Sequence, residues 1–149
     1  MALKSALPKI VFDTNIIISA TLFGSGSMRA VRLAWQTGRI IPVVSKETSA
    51  ELLRVLAYKK FNLAQADIAR VLASYLLYAQ ARVVNRSATH MKQIPSCRDA
   101  RDQIFLDLAQ SANADFLVSG DDDLLCMDDP EMAILKFRII KPAALIQRF

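Results

Sequence analysis

The chain has 149 residues, 53% of them apolar and 22% charged, with only 4 Gly and 5 Pro. That is the length of one domain with one core, residues 1–149, and it excludes a disordered tail, a collagen-like chain and a low-complexity segment. Its net charge of +5 conceals an asymmetry: residues 1–98 hold 14 basic and 4 acidic side chains, for +10, and residues 99–149 hold 5 and 10, for −5.

Lys9-Ile-Val-Phe12 is a short β-rich run that ends at Asp13, and a loop is expected at Phe23-Gly-Ser-Gly-Ser27. Helical period follows over about 28–37, then a strand at Ile41–Ser45 and a helix over 46–58 with Leu52, Val55 and Leu56 on one stripe. A second amphipathic helix is predicted over 65–80, with Ile68, Val71, Leu72, Tyr75 and Leu76 on its stripe, and then a strand at Ala81–Val84. Asn85–Arg98 reads as a flexible stretch. A helix over 101–113, strands at Asp115–Ser119 and Phe137–Ile140, and a C-terminal helix over 142–148 complete the order. Strands apolar along their whole length that alternate with amphipathic helices predict a three-layer α/β/α sandwich around a mostly parallel sheet. No apolar stretch approaches the roughly 20 residues of a membrane span, and Lys4 and Lys9 bracket too short an apolar segment for a signal peptide. Cys97 and Cys126 lack ligand spacing and read as reduced, semi-buried thiols of a cytoplasmic protein.

Ligands of an open parallel sheet bind beyond the carboxyl ends of its strands, where the strand order reverses. Asp13 and Asp121 stand at such positions, and their carboxylates converge if the two strands are neighbours. Helix capping is the competing role for each. The spacing Asp102, Phe105, Leu106, Ala109 turns Asp102 toward the sheet, leaves Asp107 on the solvated face and suits Asp99 to the N-cap. Glu51 shares its helix with Arg54, an ordinary i,i+3 surface pair. Together Asp13, Glu51, Asp102 and Asp121 could meet only at one mouth of the sheet, where a hard divalent cation, Mg²⁺ or Mn²⁺, would relieve their repulsion and bridge to substrate phosphates. The basic portion would hold backbone phosphates, with Arg29, Arg32, Lys46 and Arg54 as candidate contacts.

These pieces occur in one order: Ile10-Val-Phe-Asp-Thr-Asn-Ile17, Glu51, Asp99-x-x-Asp102 with Phe105-Leu-x-Leu-Ala109, and Ala114-Asp-Phe-Leu-Val-Ser-Gly-Asp-x-Asp-Leu124. In that order they resemble the PIN-domain family over nearly the whole chain, most of all the toxins of bacterial toxin–antitoxin operons. The resemblance implies a metal-dependent endoribonuclease with an antitoxin protein as partner. It carries metal ligands onto Asp13, Glu51, Asp102 and Asp121, with Asp123 as a fifth, and supporting polar roles onto Thr14, Asn15 and Ser119. Where relatives carry a further Asp after the one matching Asp102, this chain has Gln103, which points to a weaker second metal position.

Other chemistries lack their residues. His90 has no ligand or nucleophile partner at spacing, Ser19, Ser25 and Ser27 lack a paired His, and Gly24-Ser-Gly26 fails the dinucleotide fingerprint at Arg29. An aspartyl phosphotransferase would need a second acid where Asn15 stands. An inactive RNA-binding or regulatory module of the same fold is the remaining alternative. The high apolar fraction further suggests a homodimer or a groove for an antitoxin peptide.

Overall fold

Apolar side chains at consecutive strand positions need cover on both faces of a sheet. The computed structural model, which describes residues 6–84, 101–127 and 135–149, supplies it. Strands β1 (Lys9–Phe12), β2 (Ile41–Val44), β3 (Gln80–Ala81), β4 (Phe116–Val118) and β5 (Arg138–Ile140) pair in parallel throughout, in the order β3-β2-β1-β4-β5. The described helices are α1 (Thr14–Leu22), α2 (Ser27–Gln36), α3 (Lys46–Leu56), α4 (Gln65–Leu76), α5 (Gln103–Ser111), α6 (Asp122–Leu125) and α7 (Pro142–Ile146), with a 3₁₀ turn at Lys59–Phe61.

Strand periodicity divides the core in two. Ile10 and Phe12 of β1, Val118 of β4 and Ile140 of β5 pack with α1, α2, α3, α4 and α7. Val11, Val43, Leu117 and Ile139 pack with α5 and with Leu124 of α6. On the first side Phe12, Trp35 and Tyr75 meet edge to face with ring centroids 5.1–6.3 Å apart, and the Trp35 indole N–H donates to the Ser74 carbonyl at 2.9 Å. The expected three-layer architecture is therefore present.

The structure departs from the sequence reading in a few elements. No amphipathic period marks residues 14–22, yet they form α1. Ile16, Ile17, Ile18 and Ala20 are all buried there, and the less buried side, Asn15, Ser19 and Leu22, mixes polar with apolar residues, so the pattern is weak. The strand expected at 81–84 is only Gln80–Ala81, which among the described residues is an edge strand paired with β2, and Val83 is 93% exposed. Asp107 is not solvated: residues 105–110 of α5 are all buried, and the Gln103 amide donates to Asp107 Oδ1 at 3.1 Å. A helix covered all round has no solvent side on which to put a carboxylate. Cys126 is exposed rather than semi-buried. Asn85–Arg98, with His90 and Cys97, lies outside the described residues, as does Asp99. No described helix is long and apolar enough to cross a membrane.

Candidate active site

The strand order determines where a site can form. From β1 the chain runs outward to β2 and β3 on one side, then returns to β4 and β5 on the other, so the reversal falls between β1 and β4. A crevice at the carboxyl ends of those two strands is the expected binding place. Asp13 leaves β1 there, its N–H donating to the Val118 carbonyl at 3.0 Å, and Ser119 and Asp121 leave β4.

Asp13 is the N-cap of α1, its side chain accepting from the Asn15 N–H, so the capping role holds. It does not exhaust the carboxylate. The hydroxyl of Ser119, itself fully buried, donates to Asp13 Oδ2 at 2.8 Å, and the Asp121 N–H donates to Ser119 Oγ at 2.9 Å. Asp13 is only 5% exposed. Burial pushes its carboxyl above the usual carboxylate range, and the neighbouring charge of Asp121 pushes the same way. The hydrogen bonds from Ser119, Asn15 and Thr14 pull it back only in part. Asp121 caps α6, its Oδ1 accepting from the Asp123 N–H at 2.9 Å.

A cleft of about 220 Å³ opens over these groups, lined by Asp13, Thr14, Asn15, Glu51, Asp102 and Asp121, together with Arg54, Tyr58, Lys60, Phe61 and Arg101. Asp102 holds the N-cap position of α5, where its side chain caps no backbone amide, and it is 9% exposed. Glu51 reaches the cleft because Ser45 and Thr48 form a reciprocal capping box that starts α3 one residue after β2. Its carboxylate pairs with Arg54, which also contacts the Tyr58 hydroxyl.

Four carboxylates from four separate elements thus share one cleft. Asp123 does not line it and serves it through its backbone. Arg29 is exposed on α2, Arg32 donates to the Ala20 carbonyl at 3.2 Å, and Lys46 lines a different, apolar cleft beside Val83. Of the proposed phosphate contacts, only Arg54 lines the site. The basic residues that composition did not single out, Lys60 and Arg101, line it as well. The run Tyr58-Lys-Lys-Phe61, basic residues between aromatics, was the available signal for this wall.

The donor set suits a hard cation: every candidate ligand is an oxygen, and Asp13 bears an unfavourable desolvated charge that a cation would relieve. The Thr14 hydroxyl, buried at the same mouth, makes no hydrogen bond among the described residues. Among those residues no three His, Cys, Asp or Glu side chains stand close enough to enclose an ion as they are. The carboxylates share a cleft without yet forming a coordination sphere.

Residues 9–123 match the sequence profile of the PIN domain family. The fold is similar to that of VapBC2 from Rickettsia felis, solved bound to a DNA fragment from its promoter, with a TM-score of 0.53 at 16% identity over 89% of this chain and 98% of that one. It is also similar to PAE2754 from Pyrobaculum aerophilum, with a TM-score of 0.56 at 13% identity over 95% of this chain and 88% of that one. At such identities the likeness is one of fold. No curated protein sequence matches significantly.

Proposed function

Because the chain belongs to the PIN-domain family, we propose that it is a divalent-metal-dependent endoribonuclease, the toxin of a pair whose antitoxin is a second protein. The observation that carries this reading is the convergence of Asp13, Glu51, Asp102 and Asp121 on the cleft at the switch between β1 and β4. The similarity to a VapBC2 complex supports the antitoxin. Leu53, Leu77 and Tyr78, 48%, 81% and 44% exposed, offer apolar surface to that partner or to a second copy in a homodimer.

Asp13, Asp102 and Asp121 would hold the principal Mg²⁺ or Mn²⁺, with Glu51 at a second position or orienting water and Asp123 assisting. When bound, such an ion supplies Lewis acidity for in-line attack by water on phosphorus and for departure of the 3′ oxygen, leaving 5′-phosphate and 3′-hydroxyl ends. Ser119 fixes the rotamer of Asp13 by holding Oδ2, which leaves Oδ1 toward the Asn15 amide and the cleft. Arg54 restrains Glu51. Lys60 and Arg101 place positive charge at the rim, where a polyanion must pass to reach the carboxylates.

Incubation with labelled RNAs in Mg²⁺, Mn²⁺ or EDTA tests the reading. Cleavage is expected in either metal, none in EDTA, and none from Asp102→Asn. RNA bound but left intact in both metals would leave an RNA-binding module of the same fold.

A further inference from the structure

Glu51 differs from the aspartates of the cleft in having a cation on its own helix. Arg54, three residues further along α3, pairs with its carboxylate. An i,i+3 pair on a wet helix surface is loose and contributes little. Helix α4 has one of that kind, in which Arg70 meets Asp67 at 3.2 Å with side chains 62% and 38% exposed. In the cleft the acid is more enclosed, for the Glu51 side chain is 12% exposed. Arg54 is also held by a second group. Its guanidinium contacts the Tyr58 hydroxyl, and its central carbon lies 5.0 Å from the centroid of the Tyr58 ring. Phe61 backs Tyr58, because a 3₁₀ turn eclipses positions i and i+3, and the two rings are 7° from parallel with centroids 6.4 Å apart. The turn after α3 therefore braces one guanidinium against one carboxylate.

We infer that Arg54 is a built-in counter-cation, which takes the place of a second divalent ion at Glu51, so that the cleft binds one Mg²⁺ or Mn²⁺ through its aspartates. The inference rests on the metal-dependent reading above and assigns Glu51 within it. A divalent ion at Glu51 has to displace the guanidinium or stand beside it, and like charges in a partly enclosed cleft repel more strongly than in water. No further acid assists such an ion. Gln103 follows Asp102, its amide donating to Asp107 Oδ1 at 3.1 Å, and Asp123 does not line the cleft. One carboxylate that is already paired offers a hard cation little in exchange for its water. Lys60 provides the contrast. It lines the same cleft with Nζ 5.2 Å from the Phe61 centroid, yet among the described residues it makes no ion pair.

The test is the Mn²⁺ stoichiometry of the protein without RNA, read by titration calorimetry and by electron paramagnetic resonance, with RNA cleavage followed separately. Wild type, Arg54→Lys and Lys60→Gln are expected to bind one ion. Arg54→Gln, with Arg54→Ala as a second neutral variant, is expected to bind two and to show the broadened signal of a spin-coupled pair about 3.5–4 Å apart. Adding Glu51→Gln to either neutral variant should return the count to one. Two ions in wild type, which needs no variant to fold, or one ion in both neutral variants, overturns the counter-cation and leaves the nuclease standing. Two ions in Lys60→Gln as well makes the effect one of net charge and overturns it equally. The expected counts without RNA cleavage by wild type support the counter-cation and remove the nuclease. No Mn²⁺ bound by wild type overturns both.

Discussion

The two ends of the sheet use aspartate in opposite ways. At the amino end Asp115 is exposed, and its Oδ2 accepts from the Lys9 N–H at 2.8 Å, tying the start of β1 to the start of β4 beside a cleft lined by Lys136, Arg138 and Arg148. At the carboxyl end Asp13 and Asp102 are buried, Asp13 is pushed above its ordinary range, and the carboxylates of Glu51 and Asp121 share the same cleft. The sheet and the residue type are the same, so the difference comes from place. The amino end pairs a carboxylate with a backbone donor and cationic neighbours, whereas at the switch point burial, and to a lesser degree the charge of Asp121, disfavours the ionised form of Asp13. A carboxylate held against its own desolvation cost is the physical basis of the site proposed above.

The sharpest way to break this contrast is to neutralise one aspartate at each end. Asp13→Asn is expected to reduce metal-dependent RNA cleavage to the level seen in EDTA, while Asp115→Asn cleaves as wild type does, both measured on the same labelled RNA. Equal activity in the two variants would erase the distinction. Next in size is metal-linked stability. Mn²⁺ at about 100 times its Kd should stabilise the fold by about 2.7 kcal/mol, visible as a rise in Tm that Asp102→Asn abolishes and Asp115→Asn preserves.

Ser119→Ala sharpens the comparison further. It removes the hydroxyl that lowers the Asp13 carboxyl, a hydrogen bond to a charged group worth about 1.5–3 kcal/mol. Asp13 then titrates higher, and the acidic limb of the pH–rate profile should move to higher pH. The smallest effect concerns the metal-free protein. Because the folded-state pKa of Asp13 lies above its unfolded value, its favourable contribution is complete below the unfolded pKa and is lost as pH rises through the folded one. Asp13→Asn should therefore melt higher than wild type at neutral pH, and the gap should close in acid, as thermal melts in EDTA across pH will show.

Much of this was legible in the residues. Asp13 and Asp121 announce themselves as acids just past apolar strand runs, and the Phe105, Leu106, Ala109 stripe turns Asp102 inward. Helix α1 shows little period because three consecutive isoleucines are buried and its outer side mixes Asn15 and Ser19 with Leu22. Asp107 was misplaced because a helical wheel assumes one wet face, and α5 has none. Arg29, Arg32 and Lys46 have the charge but not the place, because charge says nothing about which cleft a side chain reaches: Lys46 follows the carboxyl end of β2 and lines the cleft beside Val83. The run Tyr58-Lys-Lys-Phe61 is visible in sequence, but the parallel alignment of its two rings is not, because it depends on a 3₁₀ turn whose spacing of three resembles the end of an α-helix.

The layers follow from local pattern, since apolar strand runs must be covered on both faces and amphipathic helices must cover them, and so does the placing of acids at strand ends. That β1 and β4 are neighbours, and with it the meeting of Asp13, Ser119 and Asp121, emerges from the folded sheet alone. The physical reason is range. Periodicity and turn chemistry act within a few residues, whereas the Ser119 hydroxyl reaches Asp13 across 106 positions of chain, and a contact of that separation follows from strand order, which no local pattern encodes.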